Sequence, residues 1–148
     1  SYSGGAAEDG SPFAVAAADA AHISRAELCA AARGLVGALT QGRIGDAALF
    51  LSGIASDDDG ATVFFDYMAG GTPIRFADGS HAAEVRIEGQ SITAFSLRLR
   101  RYTLTERNSL LLPLALSRAI AQRYPGCELT VAYIDSYSDS VGASWIAD

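Results

Sequence analysis

Apolar residues recur in the first third of the chain at the spacing of a helix. One face collects the following residues at helical intervals: Leu28, Leu35, Val36 and Leu39. Ser24 and Glu27 precede them with the S-x-x-E spacing of a capping box, in which a hydroxyl and a carboxylate each bind an unpaired backbone amide. Ile23 and Leu28 have the spacing of a hydrophobic staple, and Gly42 is suited to end the helix. The pattern therefore predicts a capped helix from Ser24 to about Gly42.

The pattern then changes to short apolar or alternating runs, which are typical of strands. The predicted strands are Ala47–Ile54, Thr62–Met68, Pro73–Phe76, Ala83–Ile87 and Ser91–Tyr102. Asp57–Gly60, Gly70-Gly71, Asp78-Gly79 and Glu88–Gln90 separate them and predict tight turns. Strands joined by short turns pair antiparallel, with one face packed and the other solvated.

A second helical period covers Ser109–Tyr124, where Leu116, Ile120 and Tyr124 recur every four residues. Pro113 either begins this helix or kinks it, because proline is tolerated only in the first turn. Pro125-Gly126 ends it, and two further strands follow, Glu128–Ser136 and Val141–Ile146. The predicted fold class is α+β: an antiparallel sheet of about five or more strands packed by two helices, in the order helix–strands–helix–strands.

The length of 148 residues fits one domain, since domains commonly span roughly 100–200 residues. Residues 1–22 are small, polar and rich in glycine or alanine, and they predict a flexible linker or tail. Residues 23–148 predict a single α+β regulatory or interaction domain. Neither a run of about 18 apolar residues nor a secretory signal pattern occurs. Because the chain begins at Ser1 without methionine, we expect it to be the soluble part of a longer protein with an upstream membrane anchor.

Charge and cysteine content narrow the classes of partner and ligand. Eleven basic and 17 acidic residues give a formal charge of −6, which disfavours nucleic acid as a partner. Cys29 and Cys127 lie far apart and belong to no Cys/His cluster, so zinc is not expected. Two buried apolar thiols are the favoured interpretation, and a disulfide in an oxidising compartment remains an alternative. His22 and His81 are interpreted as surface histidines. The sequence leaves a homo-oligomer open.

The motifs of common catalytic and cofactor sites are missing from the sequence. It contains no G-x-S-x-G elbow, no G-x-G-x-x-G and no Walker loop. Asp57, Asp58, Asp59 and Gly60 share part of an EF-hand pattern, but Ala55 stands where a carboxylate is needed. The favoured interpretation is an acidic hairpin turn. We therefore predict that the chain is not an enzyme, and we assign no catalytic, metal or cofactor-binding residue and no cofactor.

Two local groups could lie on a contact surface. Arg98, Arg100 and Arg101 form a basic stripe that could face nucleic acid, anionic lipid headgroups or an acidic partner. The favoured alternative is a solvated sheet face or a charged edge that prevents aggregation. Tyr133, Tyr137 and Trp145 are of the types enriched in interface hot spots. Packing within the core is the favoured interpretation for these aromatic residues.

Three stretches carry a distinctive order of strands and turns. Val63–Phe76 (VFFDYMAGGTPIRF) resembles a strand–turn–strand pattern F-x-x-y-x-x-G-x-P-[VI], and the strands AEVRIEGQSITAFSLRLRRY come next. Downstream, LLLPLALSRAIAQRYPGCELTVAYIDSY and Ala143-Ser144-Trp145 give a helix, a strand and a tryptophan-bearing strand. Over Leu49–Trp145 this order resembles the YycH/YycI regulatory proteins of bacterial two-component systems. These motifs are structural, and the family offers none that marks a functional residue.

The resemblance implies a function through protein contact. Family members carry an N-terminal transmembrane helix and an extracytoplasmic domain that acts on a membrane histidine kinase governing cell-wall metabolism, without a cofactor. The present sequence departs from them in having no membrane helix, and whether it includes the last strands of the second subdomain stays open. The expected localisation of the full-length protein is extracytoplasmic, anchored to the bacterial cytoplasmic membrane.

Two functional hypotheses follow. The first is a non-catalytic extracytoplasmic domain that regulates a membrane histidine kinase by protein–protein contact, and a flat exposed apolar patch would favour it. The alternative is a small-molecule or peptide-binding module of the PepSY or cystatin-like kind, which a deep apolar pocket with a few converging polar groups would favour.

Overall fold

The computed structural model describes residues 2–4, 24–105, 111–123 and 126–147. Within these ranges the chain forms eight strands and two helices and confirms the predicted α+β class. The elements are β1 (Tyr2–Gly4), α1 (Arg25–Thr40), β2 (Ala47–Ser56), β3 (Gly60–Ala69), β4 (Thr72–Phe76), β5 (Ala83–Glu88), β6 (Ser91–Leu97), α2 (Leu114–Ala121), β7 (Leu129–Asp135) and β8 (Gly142–Ala147). No helix among the described residues is both long and apolar enough to cross a membrane.

Helix α1 begins and ends as its sequence predicts. The Ser24 hydroxyl accepts from the Glu27 amide at 3.3 Å, and a Glu27 carboxylate oxygen accepts from the Ser24 amide at 2.8 Å, so the capping box is confirmed. After Thr40 the chain turns at Gly42, whose φ of 68° lies in the left-handed region that favours glycine. Ile23, the first half of the predicted staple, lies outside the described residues.

Ser24→Ala is expected to lower the free energy of unfolding by about 1 kcal/mol, because the Glu27 amide in the first turn loses the hydroxyl that accepts its hydrogen bond. Urea denaturation followed by circular dichroism measures the loss. Ser56→Ala, at the exposed end of β2, is the control and should change stability by less than about 0.5 kcal/mol. Equal effects of the two variants would contradict the role given to the cap.

Strand β3 organises the sheet. The strand order is β1-β6-β5-β3-β4-β7-β8, and β2 pairs with the other edge of β3. The first edge of β3 is shared, since β5 pairs with residues 60–65 and β4 with residues 67–69. All pairs are antiparallel except β4–β7, which is parallel. A parallel pair needs a long crossover connection, and here the chain between the two strands runs through β5, β6 and α2.

The core lies on one face of this sheet. In β3 the alternation is complete, and the odd-numbered positions are buried: Ala61, Val63, Phe65, Tyr67 and Ala69. Ala32 and Val36 of α1 pack against this face, with Leu28, Leu35 and Leu39 half-buried beside them, as the helical spacing predicts. A second cluster around Tyr67, Ile74 and Phe76 continues the same layer beneath β4.

Three details differ from the sequence predictions. Tyr2–Gly4 pairs with β6, so the prediction of a linker is wrong for these three residues; residues 5–23 lie outside the described ranges. β6 ends at Leu97 and not at Tyr102, because the chain then leaves its neighbour β5 and forms a parallel bridge from Tyr102 to Gly45. Helix α2 is shorter than predicted, and Pro113 immediately precedes it, which settles its place at the helix start. Of the rest of the predicted span, residues 109, 110 and 124 lie outside the described residues.

Gly45 is required at that bridge. Its φ of 68° is unfavourable for other residues, and a Cβ at this position would overlap the carbonyl oxygen of Tyr102. Asp46 donates its amide to the same carbonyl at 2.9 Å, and its carboxylate accepts from the Leu104 amide at 2.9 Å. The bridge therefore fixes the segment from Tyr102 to Leu104 against the turn that precedes β2.

Candidate functional site

An ion pair with a fully buried carboxylate joins β7 to the segment that follows β6. Asp135 at the end of β7 is fully buried, and Arg100 reaches it from the segment after β6. Arg100 Nε lies 3.0 Å from Asp135 Oδ2, and its Nη2 lies 3.1 Å from Oδ1, which is the two-point geometry of strong arginine–carboxylate pairs. The pair connects residues that lie 35 positions apart in the sequence.

Two further donors complete the surroundings of Asp135. The Tyr102 hydroxyl donates to Oδ2 at 2.7 Å, and the Tyr137 amide donates to Oδ1 at 2.7 Å. Burial raises the pKa of Asp135, but the hydrogen bonds from Tyr102 and Arg100 outweigh it and hold the pKa below its ordinary value. Burial, with the neighbouring carboxylate, raises the pKa of Tyr102. With all its strong acceptor directions engaged, Asp135 is a structural anion and is unsuited to accept a proton from a substrate.

Tyr137 lies on the exposed side of this ion pair. Its ring stacks on Phe76 with centroids 5.5 Å apart, and its hydroxyl donates to Asp78 at 2.8 Å and accepts from Arg98 at 2.8 Å. Its φ of 63° is unusual for a residue other than glycine, and the stacking and hydrogen bonds offset that cost. Tyr137 is nevertheless 46% exposed, so the core interpretation made from the sequence is wrong for this residue.

The basic stripe predicted from the sequence is largely neutralised. Arg98 lies 3.6 Å from Asp78, and Arg100 is bound to Asp135. Arg101 is exposed, and it makes no ion pair within the described part of the chain. Because two of the three guanidinium groups have internal carboxylate partners, the stripe does not present a cationic surface to an acidic partner.

The acidic hairpin turn is held by its own contacts. Both oxygens of Asp57 accept from Arg86 at 2.7 Å, and Oδ1 also accepts from the amides of Asp59 and Gly60. The described residues include no cluster of three or more acidic, histidine or cysteine side chains placed to hold a metal ion. The geometry of Asp57 is that of a capped turn, with its charge directed at Arg86.

Acid is expected to destabilise the fold through Asp57 and Asp78. The ordinary pKa of an aspartate is 3.8, and both groups lie below it. The Arg86 guanidinium lowers the pKa of Asp57 to about 2. Hydrogen bonds from the Ser80 hydroxyl, the Ser80 amide and the Tyr137 hydroxyl lower the pKa of Asp78 to about 2. A lowered pKa in the folded state stabilises it above about 3.8, and this contribution is lost as the pH falls toward about 2. Urea titrations between pH 5 and about 2 should show this loss.

Asp57→Asn/Asp78→Asn is the matched variant for that titration. It should have a shallower dependence of unfolding free energy on pH over the same interval, because the two shifted groups are gone. Asp58→Asn is the control, since its exposed carboxylate has no ion pair among the described residues. A slope unchanged in the double variant would contradict the assignment.

The opposite face of the sheet carries a second polar pair. His81 Nδ1 lies 3.1 Å from Asp66 Oδ1, and its ring packs at 4.6 Å from that of Phe64. A depression of about 500 Å³ lies here between β2, β3 and β4. A histidine held by a carboxylate occurs in catalytic sites, but among the described residues no serine or cysteine forms a hydrogen bond with the His81 ring. His81 thus differs from the isolated surface histidine that was predicted; His22 lies outside the described residues.

A groove of about 410 Å³ lies on the core side of β4, β7 and β8. Its lining comprises Ala69, Thr72, Ile74, Tyr102, Thr103, Leu104, Thr105, Leu111, Val131, Tyr133, Val141 and Ala143. Small side chains on the strands leave this space open, and the bridge at Gly45 fixes the segment that forms its wall. Trp145 Nε1 donates to the Leu112 carbonyl at 2.7 Å and thereby fixes the residues before α2 to β8.

Exposed aliphatic side chains occur in the groove wall at Leu104, in the residues just before α2, and along α2. Five of them are between 43% and 53% exposed: Leu104, Leu112, Leu114, Leu116 and Ile120. Ser117 is the buried side chain among the described residues of α2. Because the large apolar side chains of the helix are exposed, most of its apolar surface faces away from the sheet. We call these five residues and the lining together the leucine-rimmed groove. Its sequence signal was the run around Leu116 and Ile120, which predicted a helix but not an outward-facing one.

The remaining residues considered from the sequence lie apart from this groove or serve as its walls. Tyr133 lines it and is half-buried, as is Trp145. Cys29 is half-buried in α1, Cys127 is exposed before β7, and both are free thiols. The prediction of a buried thiol is therefore wrong for Cys127, and the alternative of a disulfide is excluded in this structure.

Comparisons of the chain with protein-family models, curated proteins and solved structures gave no match.

Proposed function

We propose that the chain is a non-catalytic, extracytoplasmic domain that regulates a membrane histidine kinase of a two-component system by protein–protein contact. The observation that carries the proposal is the leucine-rimmed groove, where five large aliphatic side chains are about half exposed. A partner protein is the occupant we assign to it.

Solvation of these side chains is costly. Removing apolar surface from water contributes roughly 25 cal/mol per Å², so a cluster of leucines is a strong source of binding energy. Large contiguous apolar patches are rare on the surface of monomeric proteins, and where they occur they commonly mark interaction sites. Leu116 and Ile120 have i, i+4 spacing and form a ridge on α2 that a partner groove or helix can receive.

The chemistry of the rest of the described chain agrees with a role through contact. The carboxylate of Asp135 already accepts hydrogen bonds from Arg100, Tyr102 and the Tyr137 amide, all within the domain. The assignment of a sensor kinase as partner depends on the resemblance of Leu49–Trp145 to the YycH/YycI proteins, and it includes an N-terminal membrane anchor in the full-length protein.

Site-specific photo-crosslinking tests the proposal. The full-length protein would carry a benzoylphenylalanine at position 116, be irradiated in its own cells, and have its adducts identified by mass spectrometry. We expect a membrane histidine kinase among the adducts. Leu116→Asp and Ile120→Asp should abolish copurification of the kinase, since a carboxylate is costly to bury at an apolar contact.

Ala38→Asp adds the same charge at an exposed position on α1 and is the matched control. It should leave the adduct unchanged, and circular dichroism should show all three variants folded. Failure to detect any histidine kinase, or equal copurification with Leu116→Asp and Ala38→Asp, would argue against the proposal.

A second candidate function has its own observation. The groove volume of about 410 Å³ falls within the range of roughly 300–1,000 Å³ for ligand pockets, and its lining combines apolar residues with Thr72, Tyr102 and Tyr133. A small-molecule or peptide ligand bound there would raise the unfolding temperature of the isolated domain, and Ala143→Phe should remove that shift by filling the groove. Ligand-dependent stabilisation with no kinase adduct would favour this function.

A further inference from the structure

Strand β2 forms one edge of the sheet. It pairs with β3 along nearly its whole length, and within residues 2–4, 24–105, 111–123 and 126–147 no strand pairs with its other side. Alternate residues of an edge strand direct their amide and carbonyl groups outward, where they can pair with another strand. Ten residues make this a long edge for a domain of this size.

The edge lacks most features that normally prevent pairing. Ala47–Ser56 (AALFLSGIAS) contains no charged residue and no proline, although lysine and proline are the usual blocks on an exposed edge strand. Phe50, Leu51 and Ile54 provide large apolar side chains. Its single irregularity is a bulge between Leu51 and Gly53, at the middle of the strand.

The bulge changes which face each side chain takes. Before it, Leu49 and Leu51 lie opposite the core residues Tyr67 and Phe65 of β3; after it, Ile54 lies opposite the core residue Val63. Core-facing positions are therefore odd-numbered before the bulge and even-numbered after it. In an antiparallel pair, directly opposite residues share one face of the sheet. The first half of β2 thus matches the second half of an identical strand, face for face, when the two-fold axis passes through the bulge.

We propose that β2 is a homodimerisation edge, which pairs antiparallel with β2 of a second copy around a two-fold axis that passes between Leu51 and Ser52, at the bulge. Leu49 then lies opposite Ile54 of the second copy on the core side. Phe50 lies opposite Gly53 of the second copy on the open side, where an aromatic ring covers the missing side chain of a strand glycine. An isologous interface makes each contact twice, and it joins the two sheets into one. This inference is independent of the proposed partner of the leucine-rimmed groove.

Charges at the two ends of β2 agree with this direction of pairing. Arg43 is exposed in the turn before the strand, and Asp58 and Asp59 are exposed in the turn after it. Within the described residues none of the three forms an ion pair. Antiparallel self-pairing brings Arg43 of each copy beside Asp58 and Asp59 of the other, whereas parallel pairing would bring like charges together. Asp46 falls opposite Asp57, whose charge Arg86 already offsets.

Sedimentation velocity of the purified chain tests the inference. We expect a concentration-dependent monomer–dimer equilibrium. Arg43→Glu, and separately Asp58→Arg/Asp59→Arg, should each weaken the dimer by about tenfold or more, because each variant places like charges together at both ends. An equimolar mixture of the two variants should dimerise again, since both ends then carry opposite charges.

Arg33→Glu and Asp139→Arg make comparable charge changes away from β2 and are the controls. They should leave the equilibrium unchanged. A second measurement fixes the register: in a Cys29→Ser/Cys127→Ser background, Ala48→Cys mixed with Ala55→Cys should form a disulfide-linked dimer, because residues 48 and 55 lie opposite each other. A dimer insensitive to charge reversal, or equal crosslinking by Ala48→Cys alone, would overturn the proposal. A monomer at all concentrations would overturn it as well, and this is the result expected if the edge instead binds a strand from another protein.

Discussion

Arg100→Met is expected to lower the free energy of unfolding by about 3 kcal/mol, at the lower end of the range for removing one partner of a buried ion pair, because the Arg100 side chain is 32% exposed. Asp135 is 0% exposed and would keep a charge with no cation beside it. The hydroxyl of Tyr102 and the amide of Tyr137 would still donate to it, but two neutral donors do not replace a two-point guanidinium contact. Methionine preserves the length and apolar stem of the side chain, so lost packing contributes little.

Arg101→Met is the matched control, because it removes the same group from the next residue, which is exposed and has no ion pair among the described residues. It should change stability by less than about 0.5 kcal/mol. Chemical denaturation at pH 7 measures both variants. A small effect of Arg100→Met would contradict the structural role given to the pair, and it would indicate that Asp135 becomes protonated or hydrated at little cost.

A double-mutant cycle separates the pair from its surroundings. Arg100→Met, Asp135→Asn and the double variant give a coupling energy, and residues in direct contact commonly couple by about 0.5–3 kcal/mol. A positive coupling would show that the two groups stabilise each other. If the losses simply add, then the contacts of Asp135 with Tyr102 and Tyr137 determine its contribution.

The elements of this fold are largely encoded by local sequence. The predicted strand Thr62–Met68 corresponds to Gly60–Ala69, because alternation of apolar residues and Asp-Gly turns act over a few residues. The Ser24 capping box and the stop near Gly42 depend on equally local contacts. Such patterns can be recognised in the sequence without knowledge of the tertiary structure.

The pairing of distant elements is not encoded in the same way. The parallel contact of β4 with β7 depends on where the chain returns after α2, and no alternation of side chains specifies that. The partner of Arg100 was missed for the same reason. A signal was present nonetheless: Asp135 follows apolar residues in a predicted strand, and a carboxylate at a core position requires a donor or cation.

The candidate site was the least predictable part. Leu116 and Ile120 gave a correct helix, but an apolar ridge on a helix fits equally well against the sheet of its own chain or against another protein. Only the position of α2, with its ridge half exposed, distinguishes these arrangements. The bulge in β2 likewise has no sequence signature beyond one glycine in an apolar run.

Phe65→Ala is expected to cost about 3–5 kcal/mol of unfolding free energy, the typical loss for a buried phenylalanine. The side chain is 2% exposed, and it lies in the core cluster with Val36 and Val85, where truncation leaves a cavity between α1 and the sheet. Small domains are stable by only about 5–15 kcal/mol, so this single variant should remove a large share of the total.

Phe64→Ala is the control, because it removes the same side chain from the adjacent residue on the opposite face of the sheet. Phe64 is half-buried, and its ring contacts His81 at 4.6 Å, so we expect a smaller loss of roughly 1–2 kcal/mol. The two variants have the same amino-acid composition and nearly the same unfolded chain, because they differ only in which of two adjacent phenylalanines becomes alanine. A difference between their unfolding free energies therefore reports the difference in burial between Phe64 and Phe65. Equal losses would mean that the His81 face is packed as tightly as the core, which would require a covering layer over β2, β3 and β4.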